Sequence, residues 1–183
     1  MAAHSLLVPA LPAANMAILA AELNKAQMAE SAVNGAWNVI LNHYFPQPGF
    51  IIMPELCVPG AGDTDLVVQT QAFANNAVTW TWHTFYEGKG VGSSDTWQSI
   101  HSQVATYPRS ALARGATCWC IGAKARGVSF WKFRSDDMFE MKPVDVYHGK
   151  VRFQDSAGMP PVYDIVNNQV EISTVLRYIV RTP

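Results

Sequence analysis

The sequence predicts an α/β fold (α+β in the looser sense), a mixed central sheet flanked by helices. Three observations carry that expectation. The stretch from Pro12 to about Glu30 is rich in Ala, Leu, Met, Glu and Lys, all good helix formers. Val78 to Lys89 is filled by Val, Thr, Trp, Phe and Tyr, which pack well on a pleated surface, so it reads as one long buried strand. Two strand-like runs upstream are joined to each other and to it by short turns, and three strands in this order suggest an antiparallel meander.

Pro12 suits the first turn of a helix, and Ile18, Leu19, Leu23 and Met28 form its rough apolar stripe. Ser31 is a candidate cap for a second helix running to about Tyr44, where Val33, Trp37, Ile40, Leu41 and Tyr44 recur at helical spacing. Pro46, Pro48 and Gly49 end it. Phe50 opens a strand toward Val58, Pro59-Gly60-Ala61-Gly62 turns the chain, and Asp65 to Gln71 is the next strand, connected through Asn75-Asn76 to Val78–Lys89. Gly90 to Ser94 reads as a flexible loop. Ser94 or Asp95 is the expected cap of a helix from Thr96 to Tyr107, stopped by Pro108. Gly115–Ile121 and Val128–Arg134 are expected strands around a turn at 122–127. Asp136 to Val146 shows no clear period, and Lys150–Phe153 reads as a short edge strand. Asn167 or Asn168 caps a last helix to about Val180, with Val170, Ile172, Val175, Leu176 and Ile179 as its apolar face.

A chain of 183 residues fits one domain with a sizeable core. The expectation is a flexible lead over residues 1–11 and a single domain over 12–183. Although 49% of residues are hydrophobic and only 15% charged, no apolar run reaches the roughly 20 residues that a membrane helix needs, so no membrane partner is expected. A net charge of −1 weighs against avid non-specific binding of nucleic acid, while leaving room for a local basic surface. Cys57, Cys118 and Cys120 are odd in number and irregular in spacing, which argues against a disulfide framework. Cys118 and Cys120 share one strand face and read as small buried hydrophobes. The apolar N-terminus lacks the positive region of a secretory signal. An intracellular protein of cytoplasm or nucleus is therefore expected, with secretion left open.

The chemistry concentrates around the long strand. Side chains alternate along a strand, so Glu87 and Lys89 point to one side, about 7 Å apart by backbone rise. Asp65 heads the preceding strand. An acidic residue there, with Glu-x-Lys on the next strand, suits a divalent metal beside a lysine. On the following helix Gln103 and Tyr107 lie four apart, hence on one face. Other candidates carry less. His83 alternates with Glu87 and is expected on the same face, as a core or rim histidine. His101 is expected to be exposed. Gly88-Lys89-Gly90-Val91-Gly92 lacks the P-loop spacing, and no nucleophile-elbow sequence supports a hydrolase triad. Trp80 and Trp82 are expected in the core. Lys124, Arg126, Lys132 and Arg134 form a modest basic hairpin able to touch a phosphate backbone.

Asp65, then Glu87-Gly88-Lys89, then Gln103-Val104-Ala105-Thr106-Tyr107 on the next helix resembles the PD-(D/E)XK nuclease superfamily, whose fold is restriction-endonuclease-like. The Gln-x-x-x-Tyr spacing is similar to the RecB and lambda-exonuclease branch, and the glycine-led strand and aromatic strand of Gly115–Phe133, with the C-terminal helix, are similar to fungal genome-encoded members. Thr64 stands where the family name has Pro, and Gly88 is unusual at the end of a buried strand. The resemblance implies an αβββαβ core over about Ser31–Val180, a Mg²⁺-dependent (or Mn²⁺-dependent) deoxyribonuclease, DNA as partner, and a homodimer as one allowed assembly. It implies Asp65, Glu87 and the Gly88 carbonyl as metal ligands, with Lys89, Gln103 and Tyr107 completing the catalytic set. The family's first-helix Glu falls on Glu22 or Glu30, Glu55 and Asp63 are further supplementary candidates, and Lys124, Arg126 and Lys132 are candidates for nucleic-acid contact. A catalytically inactive module of the same fold, used for interaction or oligomerisation, is the alternative.

Overall fold

The computed structural model describes residues 11–23, 25, 29–74, 77–156 and 158–182. Its elements run α1 (Ala13–Leu23), α2 (Glu30–Tyr44), β1 (Phe50–Pro54), β2 (Cys57–Val58), β3 (Gly62–Asp63), β4 (Leu66–Ala74), β5 (Ala77–Lys89), α3 (Trp97–Ala111), β6 (Thr117–Lys124), β7 (Gly127–Arg134), β8 (Met141–Tyr147), β9 (Lys150–Phe153), β10 (Tyr163–Asp164) and α4 (Gln169–Arg181). An eight-stranded sheet in the order β1-β4-β5-β6-β7-β8-β9, with β10 paired to β7, forms the centre. The expected meander is present, since β1, β4 and β5 pair antiparallel in sequence order. β5 and β6 pair parallel, as a crossover through α3 requires.

Strand alternation sends side chains to two cores. Leu66, Val68, Tyr86, Trp119, Ile121, Val128 and Phe130 meet the apolar faces of α2 and α4. Val67, Phe85, Cys118, Cys120, Trp131 and Phe133 meet α3 through Val104, Ala105 and Tyr107. Trp37 of α2 lies against Tyr86 and Phe130, with ring centroids 5.8 and 6.5 Å away. On the other face Gly122 admits α3: a Cβ there would sit 2.7 Å from Ile100 Cγ2. Cys118 and Cys120 are buried on one face, as expected.

Several boundaries differ from the sequence expectations for local reasons. Glu55 takes a φ of 49°, which ends the strand from Phe50 before Val58 and leaves β2 to pair separately with β3. α2 starts at Glu30 with Ala29 at its N-cap, so Ser31 sits inside the first turn rather than capping it. Thr96 caps α3 by accepting from the Ser99 N–H at 3.1 Å, while Ser93 and Asp95 bond to each other. Pro108 lies within α3, which continues to Ala111. Proline cannot donate to the Val104 carbonyl, and the Cys120 thiol reaches that oxygen at 4.0 Å instead. The hairpin after β6 turns through Ala125-Arg126, shorter than the expected 122–127. The segment without a clear period contains β8. α1 ends at Leu23, short of the expected Glu30, and Lys25 and Ala29 lie outside any helix. Residues 24 and 26–28, and residues 1–10 of the flexible lead, lie outside the described residues, whereas Leu11 is buried.

β5 departs most from expectation. It is buried from His83 onward, but Ala77 to Thr81 are exposed, with Trp80 at 46%. β6 meets β5 only from Thr84. A bulge interrupts the pairing, since Val68 faces Thr84 while Gln69 faces Trp82. His83 is the extra residue, and it turns to the α2 side against Phe45 and Phe50 at 5.5 and 5.3 Å. Trp82 stacks on Phe85 at 5.4 Å on the α3 side. His83 therefore does not share the face of Glu87. An extra residue shifts the phase of alternation, as bulges do. Burial in this apolar nook lowers its pKa to about 4, so it is neutral at pH 7.

Candidate active site

β5 carries Glu87 and Lys89 to its C-terminal end, where the loop into β4 brings Asp65, α2 brings Glu30 and Asn34, and α3 brings Gln103 and Tyr107. Glu87 is 2% exposed and Lys89 8%, so neither is a solvated strand terminus. Lys89 Nζ donates to Glu87 Oε1 at 2.6 Å. The Tyr107 hydroxyl lies 2.7 Å from Glu87 Oε2 and 3.0 Å from the Asp63 carbonyl oxygen. Gln103 Nε2 donates to the Tyr107 hydroxyl oxygen at 3.5 Å, a long contact. The Gly88 N–H donates to Asp65 Oδ2 at 2.7 Å. In extended backbone the N–H and C=O of one residue point to the same side, so the Gly88 carbonyl opens on the same edge of β5 as its N–H. Lys89 Nζ lies 3.6 Å from Glu30 Oε2.

The five residues Asp65, Glu87, Lys89, Gln103 and Tyr107 thus converge. Of the supplementary candidates, Glu30 joins them and Glu22 pairs instead with Lys25. Glu55 lines a cleft of about 350 Å³ with Glu30, Asn34 and Asp65. The Asp63 carboxylate sits opposite Cys57 across the β2–β3 pair and pushes its thiol pKa up, and it is the Asp63 carbonyl that meets Tyr107. The cations of the basic hairpin have partners within the protein. Lys124 donates to the carbonyls of Ser93 and Asp95 at 3.0 and 2.6 Å, pinning the loop expected to be flexible. Arg126 pairs with Asp164 at 2.6 Å, and Lys132 lies 4.3 Å over the Trp119 ring. These cations serve the protein's own packing because their neighbours in the fold present carbonyls, a carboxylate and an aromatic face. His101, expected to be exposed, is half-buried against Trp131.

The electrostatics follow from three carboxylates facing one ammonium. Burial first, then the charge of Asp65, pushes the Glu87 pKa up to about 7 despite its bonds to Lys89 and Tyr107. Burial also raises Asp65, aided by Glu30, against the opposing Gly88 N–H and the Asn34 amide. For Lys89 burial works to lower the pKa, but the bond to Glu87 and the charges of Glu87, Glu30 and Asp65 outweigh it, so it stays an ammonium. The Tyr107 phenol is pushed up by burial and by Glu87, and remains a donor.

The donor set tests whether a metal fits. Among the described residues no group of three or more His, Cys, Asp or Glu gathers for a metal, which suits neither a structural zinc site nor a calcium cage. Two carboxylates and a carbonyl suit Mg²⁺, which keeps several waters and binds through one or two carboxylates plus phosphate oxygens. Burial and mutual repulsion raise Asp65 and Glu87, and a divalent cation would offset both by stabilising the charged carboxylates.

Sequence reasoning missed Asn34 and Tyr86. Neither carries a motif, and the only signal was the unusual Gly88, whose cause lies in what packs over it.

No family model matches the chain, and no curated protein matches it. Among solved structures, it is similar to DrdV as seen by cryo-EM in a DrdV–DNA complex, with a TM-score of 0.52 and 10% identity. The match covers 94% of this chain and 14% of DrdV, so the chain spans a small part of that protein's length. No helix among the described residues is long and apolar enough to cross a membrane. Identity so low speaks for the fold alone, and the fold observed is the expected one: a restriction-endonuclease-like mixed sheet flanked by helices.

Proposed function

We propose that this chain is a Mg²⁺-dependent nuclease, with Mn²⁺ able to substitute, that hydrolyses DNA phosphodiester bonds. One observation carries the reading: Asp65 from the loop into β4, Glu87 and Lys89 from β5 and Tyr107 from α3 meet at one buried sheet end, linked by bonds of 2.6 to 2.7 Å around Glu87 and by the Gly88 N–H to Asp65. Asp65, Glu87 and the Gly88 carbonyl would hold the cation. It would neutralise the carboxylates, bind a phosphate oxygen and make a bound water more acidic.

The chain's own groups set up the rest. Lys89 and Tyr107 fix both oxygens of Glu87, and the Gly88 N–H fixes Asp65, so the carboxylates need no reorganisation when substrate arrives. Lys89, as an ammonium, offers positive charge to the phosphate where negative charge develops, and orients the attacking water through its remaining protons. In that state it is not the group that removes the water's proton. Gln103 braces Tyr107. DNA is the substrate class proposed because the fold is shared with a protein seen bound to DNA. The test is Mg²⁺-dependent cleavage of single- and double-stranded DNA by wild type and Glu87→Ala. Cleavage that persists unchanged in the variant removes the proposal.

A second reading rests on the same bonds. Both oxygens of Glu87 and one of Asp65 are already engaged within the protein, as in an inactive module of this fold used for interaction or homodimerisation. Calorimetric titration with Mg²⁺ or Mn²⁺ separates the two: binding that depends on Asp65 and Glu87 counts against the inactive module.

A further inference from the structure

Gly88 sits under two polar atoms that have no hydrogen-bond partner among the described residues: the Asn34 amide oxygen and the Tyr86 hydroxyl. A Cβ on residue 88 would lie 2.1 Å from Asn34 Oδ1 and 2.5 Å from the Tyr86 hydroxyl oxygen, with the Tyr86 ring carbon behind it at 3.1 Å. Tyr86 is fully buried and its ring is held against Trp37, so it cannot swing away. Asn34 and Asp65 line one cleft, and Asn34 acts on the Asp65 carboxyl as a hydrogen-bonding neighbour that lowers its pKa. A carboxylate only accepts, so the amide NH₂ donates to Asp65, and its oxygen is left turned toward Gly88. Leaving buried polar atoms unpaired costs stability, and such local costs are expected where function sets the geometry.

We infer that Asn34 is a positioning residue for Asp65, and that residue 88 is glycine because the Asn34 amide needs the space a side chain would fill. The inference rests on the proposed metal-dependent function and deepens it. From one side the Gly88 N–H holds Asp65 Oδ2; from α2 the Asn34 amide holds the same carboxylate. Two donors on different elements fix its orientation beside Glu87, where one would leave it free to turn. The glycine in Glu87-Gly88-Lys89 is thus part of how the site is built.

The test compares wild type with Asn34→Ala, Gly88→Ala, and a triple variant combining Gly88→Ala with Asn34→Ala and Tyr86→Phe. Two quantities are read without turnover: Mn²⁺ affinity by calorimetry and the thermal midpoint. The expected result for Asn34→Ala is a midpoint near wild type with Mn²⁺ affinity about tenfold weaker, the size typical of groups that orient a metal ligand. Gly88→Ala is expected to lose both midpoint and affinity. The triple variant, freed of the two polar atoms while the ring carbon of residue 86 still lies 3.1 Å from the new Cβ, should regain part of the midpoint and none of the affinity. Wild-type Mn²⁺ affinity in Asn34→Ala or in the triple variant overturns the inference, and DNA cleavage by the wild type in that case leaves the functional proposal standing. A wild type that binds no Mn²⁺ and cleaves no DNA overturns both. Should Gly88→Ala fail to fold, Asn34→Ala and the triple variant decide the matter.

Discussion

The two halves of β5 are made of similar residues and live in different environments. From His83 to Lys89 the strand is buried between β4 and β6 and ends in the charged cluster. From Ala77 to Thr81 it pairs with β4 alone, and its side chains are exposed. No Asp, Glu, Lys or Arg occurs from Leu66 to Tyr86. Charge thus appears where the strand is most enclosed and is absent where it is open. Burial on this strand is set by the extent of its neighbours, and charge is kept for the end where the loop into β4, α2 and α3 supply partners for it.

The largest effect expected from breaking this contrast is at Glu87. Glu87→Ala should reduce Mg²⁺-dependent cleavage by roughly 10³-fold or more, the order lost when a preorganised electrostatic group is removed. A multiple-turnover assay on duplex DNA checks it, with circular dichroism to show that the fold persists. Phe85 and Trp80 sharpen the comparison in stability. Phe85 is buried and stacked between Trp82 and Tyr107, so Phe85→Ala should cost about 3–5 kcal/mol. Trp80→Ser, in the exposed half, should change stability by less than about 0.5 kcal/mol. Urea unfolding of both variants measures the difference, and equal losses would contradict the split.

The pH dependence has a definite sign. Glu87 binds its proton more tightly in the folded chain, with a pKa of about 7 against an ordinary 4.5, and Asp65 is raised as well. Between those values the native state holds more protons than the unfolded one, so stability falls as pH rises through the window. At about 1.4 kcal/mol per unit, the Glu87 share is about 3 kcal/mol. Calorimetric melting without divalent ions should therefore give a midpoint that drops from pH 5 to pH 8. Saturating Mn²⁺ should flatten that drop by favouring the ionised carboxylates. A midpoint that rises with pH in the metal-free protein would count against a strained carboxylate pair. The smaller effect is at Tyr107. Tyr107→Phe removes a hydrogen bond to a carboxylate, about 1.5–3 kcal/mol, so activity should fall about 10- to 150-fold. The acid limb of the pH–rate profile should move to higher pH, because Glu87 loses a donor that favours its charged form.

Much of the fold was legible because periodicity and turn residues report local geometry. Helices α2, α3 and α4, the β1-β4-β5 meander and the β6-β7 hairpin all follow from such patterns. What escaped depends on contacts between distant parts of the chain. The stretch Val78–Trp82 has the composition of a buried strand, but β6 does not extend beside it. The bulge at His83 leaves no mark that a period-two pattern reveals. Pro108 lies inside a helix, and a thiol from β6 reaches the carbonyl it leaves unserved. At the site, Asp65, Glu87, Lys89, Gln103 and Tyr107 were legible from order and spacing. Glu30 rather than Glu22 faces Lys89 because α2, and not α1, begins beside the end of β5. Asn34 and Tyr86 over Gly88 were beyond sequence reasoning, since nothing local to Gly88 names what packs above it.

The bulge at His83 also governs how the chain tolerates changes in length. Outboard of it, the β4–β5 hairpin reaches past β6 into solvent, so a paired insertion or deletion there lengthens or trims an arm and leaves the rest in register. Inboard of it, only Thr84, Phe85 and Tyr86 separate the bulge from Glu87. One residue gained or lost in that span would swap the two faces of the strand. Tyr86 would face α3, Phe85 would face α2, and Glu87 would turn away from Tyr107. The bulge therefore marks a boundary along β5 between a segment whose length is free to drift and one whose count of residues is fixed.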